Sequence, residues 1–391
     1  MKNKLILAFL LLTSVVFGQT NFTFNSGGTE QVNYFTTLPY ENVNDKIIIK
    51  IKVKDKTHRF ILDTGAPTII DAKLFEELKP TVLTKLSISD ANNAKDSMIL
   101  VSLSDIALNE VVFQNIPTLV SKANKVFECF EVDGIIGSNL MRNSIIQIDE
   151  TNKKVILTDN VKKLNLSSVP SSKLFLDKQS SPIIWIQLKN KSKAKEQLLF
   201  DTGMQGLYDL SLYHFETFKE NEVFDKIQKG EGSNALGIHG IAKDTTIYRI
   251  HLPVLEINGI ELQNVLTQTT MDNNSRIGSK LLHYGTVTVD YKNKKFYFKP
   301  NSNNDIDAHE KQFPINIIPK NDKLYISTVW DDKLKSQINA GDQILEIDSK
   351  SFEKIDICDL ILKSTLKGKD KILLKTKNSN GEIIETILYS E

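Results

Sequence analysis

The feature that most constrains the fold of this 391-residue chain is an internal repeat of domain size. The pentapeptide Ile-Gly-Ser-Asn-Leu at 136–140 returns 141 residues later as Ile-Gly-Ser-Lys-Leu at 277–281. Upstream in each copy, at 44–63 and at 183–200, two Ile- and Leu-rich segments flank a polar turn, which predicts a strand–turn–strand. A period this long is not that of a solenoid. The sequence therefore predicts two similar lobes, each built from one copy of the repeat.

Each predicted hairpin ends in the same tripeptide, Asp63-Thr64-Gly65 in the first copy and Asp201-Thr202-Gly203 in the second. An Asp at the end of a strand is held out of the sheet, and the Gly lets the chain turn sharply because it has no Cβ. The Thr hydroxyl can bond the backbone or its counterpart across an axis. Two such loops related by pseudo-symmetry would bring the two carboxylates face to face.

These segments resemble the aspartic peptidase family, and its small-lobed retropepsin-like branch more closely than pepsin. The residues that carry the resemblance are Ile61–Ala66 and Leu199–Gly203, together with the family's later apolar-apolar-Gly element at Ile135–Gly137 and, in a poorer form, at Arg276–Gly278. The resemblance covers about residues 40–300. It implies a mainly β fold of two pseudo-symmetric β-barrel lobes, at 40–163 and 173–300, so that the chain resembles a fused dimer.

The resemblance implies that Asp63 and Asp201 are a catalytic dyad, with Thr64, Gly65, Thr202 and Gly203 in support. In this family the two carboxylates are about 3 Å apart and cannot both ionise, so they share one proton. One takes a proton from a water held between them, and the other donates to the scissile carbonyl oxygen. The expected substrate is a polypeptide bound extended in the cleft between the lobes. No cofactor or metal is expected, and the chain is expected to act as a monomer.

One departure from pepsin-like sequences concerns the residues after the two Asp-Thr-Gly tripeptides, where a Ser or Thr is usual. Here they are Ala66 and Met204. A hydroxyl at these positions would favour the charged carboxylate, so its absence predicts raised pKa values for the dyad and an activity optimum at about pH 5–7. The segments Asp90–Lys95 and Gly230–Gly240 are candidates for the flap hairpins that cover a bound peptide.

Residues 313–391 predict a third, smaller α+β domain. The run Ala340–Asp348 resembles an element of bacterial PDZ domains, and a helix is expected at 355–366. PDZ domains add a peptide as a strand along an exposed edge, which would be Lys323–Ser327 here. Three roles stay open for this domain, namely docking a substrate, binding a partner and bracing the lobes.

The first 18 residues have two Lys followed by a short apolar run, which predicts a secretory signal peptide and a bacterial protein exported to the periplasm or the medium. The two cysteines, Cys129 and Cys358, lie far apart in the chain and are expected to stay unpaired. The net charge is +1, from 49 basic and 48 acidic residues, and argues against a nucleic-acid partner.

Together these features predict an exported aspartic endopeptidase with a PDZ-like module that docks a substrate or a partner. The alternative is a non-catalytic peptide-binding adaptor that keeps the protease fold.

Overall fold

The computed structural model describes residues 23–89, 95–122, 124–232, 236–237, 240–241, 244–302, 306–363 and 365–391. The predicted signal peptide at 1–18 lies outside the described residues, as do residues 90–94 of the first candidate flap and 233–235 and 238–239 of the second. In the part of the chain that is described, no helix has the length and apolar character needed to cross a membrane.

Lobe 1, residues 35–163, begins with the strand Phe35–Val43, continues with the two strands of the first predicted hairpin, Lys46–Val53 and Lys56–Asp63, and ends at a short 3-10 helix. Its elements are β1 (Phe35–Val43), β2 (Lys46–Val53), β3 (Lys56–Asp63), β4 (Ile69–Asp71), α1 (Ala72–Leu78), β5 (Thr81–Ser89), β6 (Lys95–Leu103), β7 (Ile106–Leu108), β8 (Val111–Phe113), β9 (Ile116–Ser121), α2 (Lys125–Phe130), β10 (Gly134–Gly137), α3 (Ser138–Met141), β11 (Ile145–Asp149), β12 (Lys154–Thr158) and the 3-10 helix Val161–Lys163.

Lobe 2, residues 171–300, repeats this arrangement. Its elements, followed by a short strand of the linker, are β13 (Ser171–Lys173), β14 (Phe175–Leu176), β15 (Pro182–Lys189), β16 (Lys193–Asp201), β17 (Tyr208–Ser211), α4 (Leu212–Phe218), β18 (Lys226–Gly232), β19 (Leu236–Gly237), β20 (Gly240–Ile241), β21 (Thr245–Ile257), β22 (Ile260–Thr270), β23 (Arg276–Gly278), the 3-10 helix Ser279–His283, β24 (Gly285–Asp290), β25 (Lys295–Pro300) and β26 (Ile306–Asp307).

The C-terminal domain, residues 313–391, has a buried core of its own around Phe313, Leu324, Ile344 and Leu374. Its elements are β27 (Ile315–Lys320), β28 (Lys323–Val329), the 3-10 helix Asp332–Ser336, β29 (Gln343–Ile347), β30 (Lys350–Ser351), α5 (Ile357–Leu362), β31 (Lys371–Lys377) and β32 (Ile383–Tyr389).

The two lobes meet in a central sheet whose strand order, β1-β12-β11-β24-β25-β13, is itself pseudo-symmetric. The antiparallel pair β11–β24 crosses the boundary, and its register places Gln147 directly opposite Thr288. These two residues are 141 positions apart, so they are equivalent in the two repeats, and the Gln147 amide donates to the Thr288 hydroxyl at 3.0 Å. The structure thus confirms a mainly β fold and relates its two lobes by an axis through this residue pair.

The prediction that residues 323–327 form an exposed edge strand of the C-terminal domain is wrong. Residues 323–327 belong to β28, which is hydrogen-bonded to β27 on one side and, through Leu324 and Tyr325, to β29 on the other. The strand lies inside the sheet because residues 315–320, just after the linker, add the outer strand. The predicted helix is also shorter than expected and covers only Ile357–Leu362.

The expectation that both cysteines stay unpaired is wrong as well. Cys129 in α2 and Cys358 in α5 form a disulfide, with their Cα atoms 4.9 Å apart across 229 residues of sequence. The two helices pack against each other, which brings the thiols within the distance that a disulfide needs. The bond therefore ties the C-terminal domain to lobe 1.

Candidate active site

The structure brings Asp63 and Asp201 together at the boundary between the lobes. Each closes the long strand of its hairpin, and each strand is paired in parallel with a short strand that ends in Gly, β10 or β23. A Cβ on Gly65 would lie 2.4 Å from the Cγ of Asp201, and one on Gly203 would lie 2.1 Å from an oxygen of Asp63. Each carboxylate therefore lies against the glycine of the opposite loop, at a position that no side chain can share.

The two threonines of the tripeptides interlock across the pseudo-symmetry axis. The Thr64 N–H donates to the Thr202 hydroxyl and the Thr202 N–H donates to the Thr64 hydroxyl, both at 3.0 Å. The Thr64 hydroxyl donates to the carbonyl of Phe200 at 2.7 Å, and the Thr202 hydroxyl donates to that of Leu62 at 2.8 Å. Because both threonines are fully buried, this closed set of bonds holds the two loops in one relative position.

The apolar-apolar-Gly elements pack against the Asp loops in both lobes. The Ser138 N–H donates to the Ala66 carbonyl at 3.0 Å, and the equivalent Ser279 N–H donates to the Met204 carbonyl at 2.8 Å. The hydroxyls of the same serines donate to the carbonyls of Thr64 and Met204. The sequence elements that carry the family resemblance are thus in mutual contact.

The pKa of Asp63 is raised to about 7, chiefly by burial and next by the nearby Asp201 carboxylate, while the Lys46 ammonium opposes both effects. The backbone N–H of Gly65 donates to Asp63 at 2.8 Å and stabilises its charged form. The raised pKa agrees in direction with the prediction from Ala66 and Met204. Its cause is burial beside a second carboxylate, rather than the missing hydroxyls alone.

Two cations that the sequence reasoning missed lie beside the dyad. The Arg276 guanidinium donates through Nη1 to Asp201 at 3.0 Å and through Nη2 to Asp272. The Lys46 ammonium donates to the Gly203 carbonyl. Burial by itself would lower the pKa of Arg276, but Asp201 and Asp272 outweigh it and raise this pKa. The site therefore has a direct ion pair on one carboxylate of the dyad.

A signal for Arg276 was present in the repeat. Arg276 is the second-copy equivalent of Ile135, which lies 141 residues earlier in the sequence. Ile135 is an apolar residue of β10, the strand that pairs with β3, and β3 ends in Asp63. Arg276 lies on β23, the strand that pairs with β16, and β16 ends in Asp201. The Arg276 guanidinium donates to the Asp201 carboxylate. Lys46 carries no such signal, because it is one Lys among many at the start of a strand.

The strands on either side of the two candidate flaps are described, whereas residues 90–94 of the first and 233–235 and 238–239 of the second lie outside the described residues. The first joins β5 to β6, which pair in antiparallel register. The second follows β18, which pairs with β21. Beyond its pairing, β18 packs on the C-terminal domain, since a Cβ on Gly232 would lie 1.9 Å from the Ser327 carbonyl oxygen.

Comparison with protein families finds a match over residues 49–140, to a family described as aspartyl protease. This match supports an aspartic peptidase family. The matched segment contains the Asp63 loop and β10, which are the two elements in contact at the site. The comparison with curated proteins gave no match.

Similar solved structures include two seed proteins. Basic 7S globulin from soybean is 10% identical, with a TM-score of 0.39, and the similarity covers 70% of this chain and 96% of that one. Conglutin gamma, a basic 7S globulin from lupine seeds, is 13% identical, with a TM-score of 0.41, and the similarity covers 69% of this chain and 96% of that one.

Proposed function

We propose that this chain is an aspartic endopeptidase in which Asp63 and Asp201 activate a water for attack on a peptide bond. The observation that carries the proposal is the pair of interlocked Asp-Thr-Gly loops, each with its carboxylate against the opposite glycine. Burial and the neighbouring Asp201 carboxylate both raise the pKa of Asp63, which favours a single proton shared by the pair. That arrangement supplies a base and an acid within reach of the same water.

In the proposed reaction the ionised carboxylate accepts a proton as the water oxygen bonds to the scissile carbonyl carbon. The protonated carboxyl donates its proton to the carbonyl oxygen as the C=O π bond breaks. In the second step the C–N bond breaks, the amine nitrogen takes up the proton from the first carboxyl, and the hydroxyl proton returns to the second. The reaction passes through a tetrahedral diol and no covalent intermediate with the protein.

The proposed substrate is an extended polypeptide bound between the lobes, under the hairpins β5–β6 and β18–β21. We further propose that the chain is exported, on the pattern of residues 1–18, and acts as a monomer. With residues 323–327 inside the sheet, the role of the C-terminal domain that its contacts favour is to brace the lobes. It bonds to lobe 2 through the Arg249 guanidinium and the Phe313 carbonyl, and to lobe 1 through the disulfide.

The test is cleavage of unfolded casein by the wild-type protein and by Asp63→Asn and Asp201→Asn, from pH 3 to 8. The matched control is Asp332→Asn, at a carboxylate 89% exposed on the C-terminal domain. The proposal expects cleavage by wild type and control, its inhibition by pepstatin, and its loss in both site variants. Unimpaired cleavage by either site variant would refute the dyad. Casein binding without cleavage at any pH would support the adaptor instead.

A further inference from the structure

The two aspartates of the site have different electrostatic surroundings despite their symmetric loops. Arg276 forms an ion pair with Asp201 at 3.0 Å, and both side chains are nearly buried, with 19% and 6% of their surface exposed. The same guanidinium contacts Asp272, an i,i+4 partner that holds it in place. The position equivalent to Arg276 beside Asp63 is Ile135, which carries no charge.

We propose that Arg276 is a positioning residue that fixes the negative charge on Asp201 and thereby leaves the shared proton on Asp63. This inference rests on the proposed function and assigns the two roles within it. A guanidinium in direct contact with a carboxylate favours its ionised form, most strongly where water is excluded. Asp201 then accepts the proton of the attacking water, and the Asp63 hydroxyl donates to the carbonyl oxygen of the substrate.

The other charged groups around this pair are Asp63, Asp209, Asp272 and Lys46. Burial raises the pKa of Asp209 to about 6, and Arg276 opposes this rise. Asp209 therefore titrates in the same pH range as Asp63, so its effect on a pH profile has to be distinguished from that of the dyad. The variant Asp209→Asn serves this purpose, because it removes that titration and keeps the ion pair.

The experiment compares pH profiles of kcat/KM for wild type, Arg276→Gln, Arg276→Lys and Asp209→Asn, on an unfolded peptide. Loss of the cation raises the pKa for the first ionisation of the dyad, so the acidic limb of Arg276→Gln moves upward by about one pH unit or more. At a pH on the acidic limb, kcat/KM relative to its maximum then falls about tenfold. Arg276→Lys keeps a positive charge, so its acidic limb moves less than that of Arg276→Gln. Asp209→Asn leaves the acidic limb at the wild-type pH. An equal loss at every pH in Arg276→Gln would overturn the proposal.

A second readout does not need turnover. Carboxyl carbon-13 titration of Asp-labelled protein follows the ionisation of the dyad directly, with Asp63→Asn and Asp201→Asn to assign the signals. The proposal expects the first ionisation of the dyad to occur at higher pH in Arg276→Gln than in wild type, and an unchanged titration of the dyad would contradict it. If wild type cleaves nothing at any pH, the proposed function fails while this measurement still decides the role of Arg276.

A second inference rests on a different observation, the contact of α5 with lobe 1. Besides the Cys129–Cys358 disulfide, the Asn44 side-chain amide donates to the Ile361 carbonyl at 2.8 Å. Just beyond α5, Nζ of Lys367 lies 3.7 Å from Oδ2 of Asp45. Asn44 and Asp45 form the turn that leads into Lys46, the cation at the Gly203 carbonyl. One face of the C-terminal domain is therefore bound directly to a turn of the site.

The apolar residues of α5 lie on the same side. Ile361 and Leu362 pack on a buried cluster of lobe 1 that also holds Ala66, the residue after Gly65. Leu86 and Ile88 of β5, the strand that leads to the first candidate flap, pack on this cluster too. Helix α5 thus shares its apolar support with the catalytic loop and the flap strand.

We infer that α5 covers the lobe 1 side of the cleft and that the disulfide holds it there, so that reduction opens the cleft. A dithiol reductant would supply two electrons and two protons. It leaves as its own disulfide, while Cys129 and Cys358 become thiols. Without the covalent bond, the contacts that the described residues show between α5 and lobe 1 are the apolar packing of Ile361 and Leu362 and the hydrogen bond from Asn44 to the Ile361 carbonyl. This inference also rests on the proposed function.

The experiment measures cleavage by the full chain before and after reduction with dithiothreitol, with the two thiols counted. Reduction is expected to raise kcat/KM severalfold, and Cys129→Ser/Cys358→Ser to show the raised value without reductant. The control Leu373→Ala removes an exposed side chain of β31 and is expected to keep the wild-type response. Hydrogen exchange of α5 is an independent readout and should accelerate on reduction. Unchanged exchange or unchanged kcat/KM in the reduced protein would overturn the inference.

Discussion

Thr64 and Thr202 bind each other reciprocally, each donating its backbone N–H to the hydroxyl of the other at 3.0 Å. These bonds join two loops that are 138 residues apart in the chain. The carboxylates of Asp63 and Asp201 project from the loops so joined, and their relative position depends on this pair.

We expect Thr64→Val and Thr202→Val to lower the free energy of unfolding by similar amounts, about 1–3 kcal/mol each. Either change leaves a buried N–H and a buried carbonyl without a hydroxyl partner. Urea unfolding of both single variants and the double variant checks this. The cost of the double variant should differ from the sum of the two single costs, because both threonines belong to one hydrogen-bond network. Strictly additive losses of unfolding free energy, or a loss in only one of the two single variants, would contradict the reciprocal arrangement.

We expect Gly203→Ala to abolish cleavage of casein, at least about a hundredfold, because its Cβ would lie 2.1 Å from the Asp63 carboxylate. Gly206→Ala is the matched control on the same loop. Its Cβ would lie 2.8 Å from the flexible end of the Met204 side chain and at an ordinary contact distance, 3.8 Å, from Oδ1 of Asp209. Activity is measured together with circular dichroism, so that a folding defect is recognised. Equal activity of the two folded variants would show that the carboxylate does not lie against Gly203.

The raised pKa of Asp63 predicts how stability depends on pH. With a folded-state pKa of about 7 and an ordinary value of 3.8, the folded state holds a proton that the unfolded chain releases between these values. Stability from this group is therefore present at pH 4 and lost as the pH rises to 7, with a slope of at most about 1.4 kcal/mol per pH unit. Urea unfolding at pH 5 and pH 7 is expected to differ less in Asp63→Asn than in wild type. An identical difference would contradict the raised pKa.

The disulfide between Cys129 and Cys358 predicts a loss of stability on its removal. Cross-linking residues this far apart restricts the unfolded chain, and breaking such a bond costs about 2–4 kcal/mol. We expect Cys129→Ser/Cys358→Ser to unfold at lower urea concentration than wild type, and wild type to match it after reduction. Coincident unfolding curves with and without reductant would argue against the bond.

The sequence by itself determined the repeat, the two Asp-Thr-Gly loops and the mainly β fold. These are local patterns, and an alternation of apolar residues followed by Asp and Gly specifies a strand end and a sharp turn wherever it occurs. The symmetry of the site also follows from the repeat, because equivalent segments fold alike and pack about one axis, as Gln147 and Thr288 do.

Only the tertiary structure decided what breaks that symmetry. The pairing of Cys129 with Cys358 and the interior place of residues 323–327 join segments that no sequence spacing relates, and the contact of the Arg276 guanidinium with Asp201 is a finding of the structure. Such contacts depend on how complete domains pack, and a residue such as Lys46 has the same local pattern whether it faces water or a carboxylate. The sequence therefore places the two aspartates and supplies Arg276 in only one copy of the repeat, and the packing brings its guanidinium into contact with Asp201.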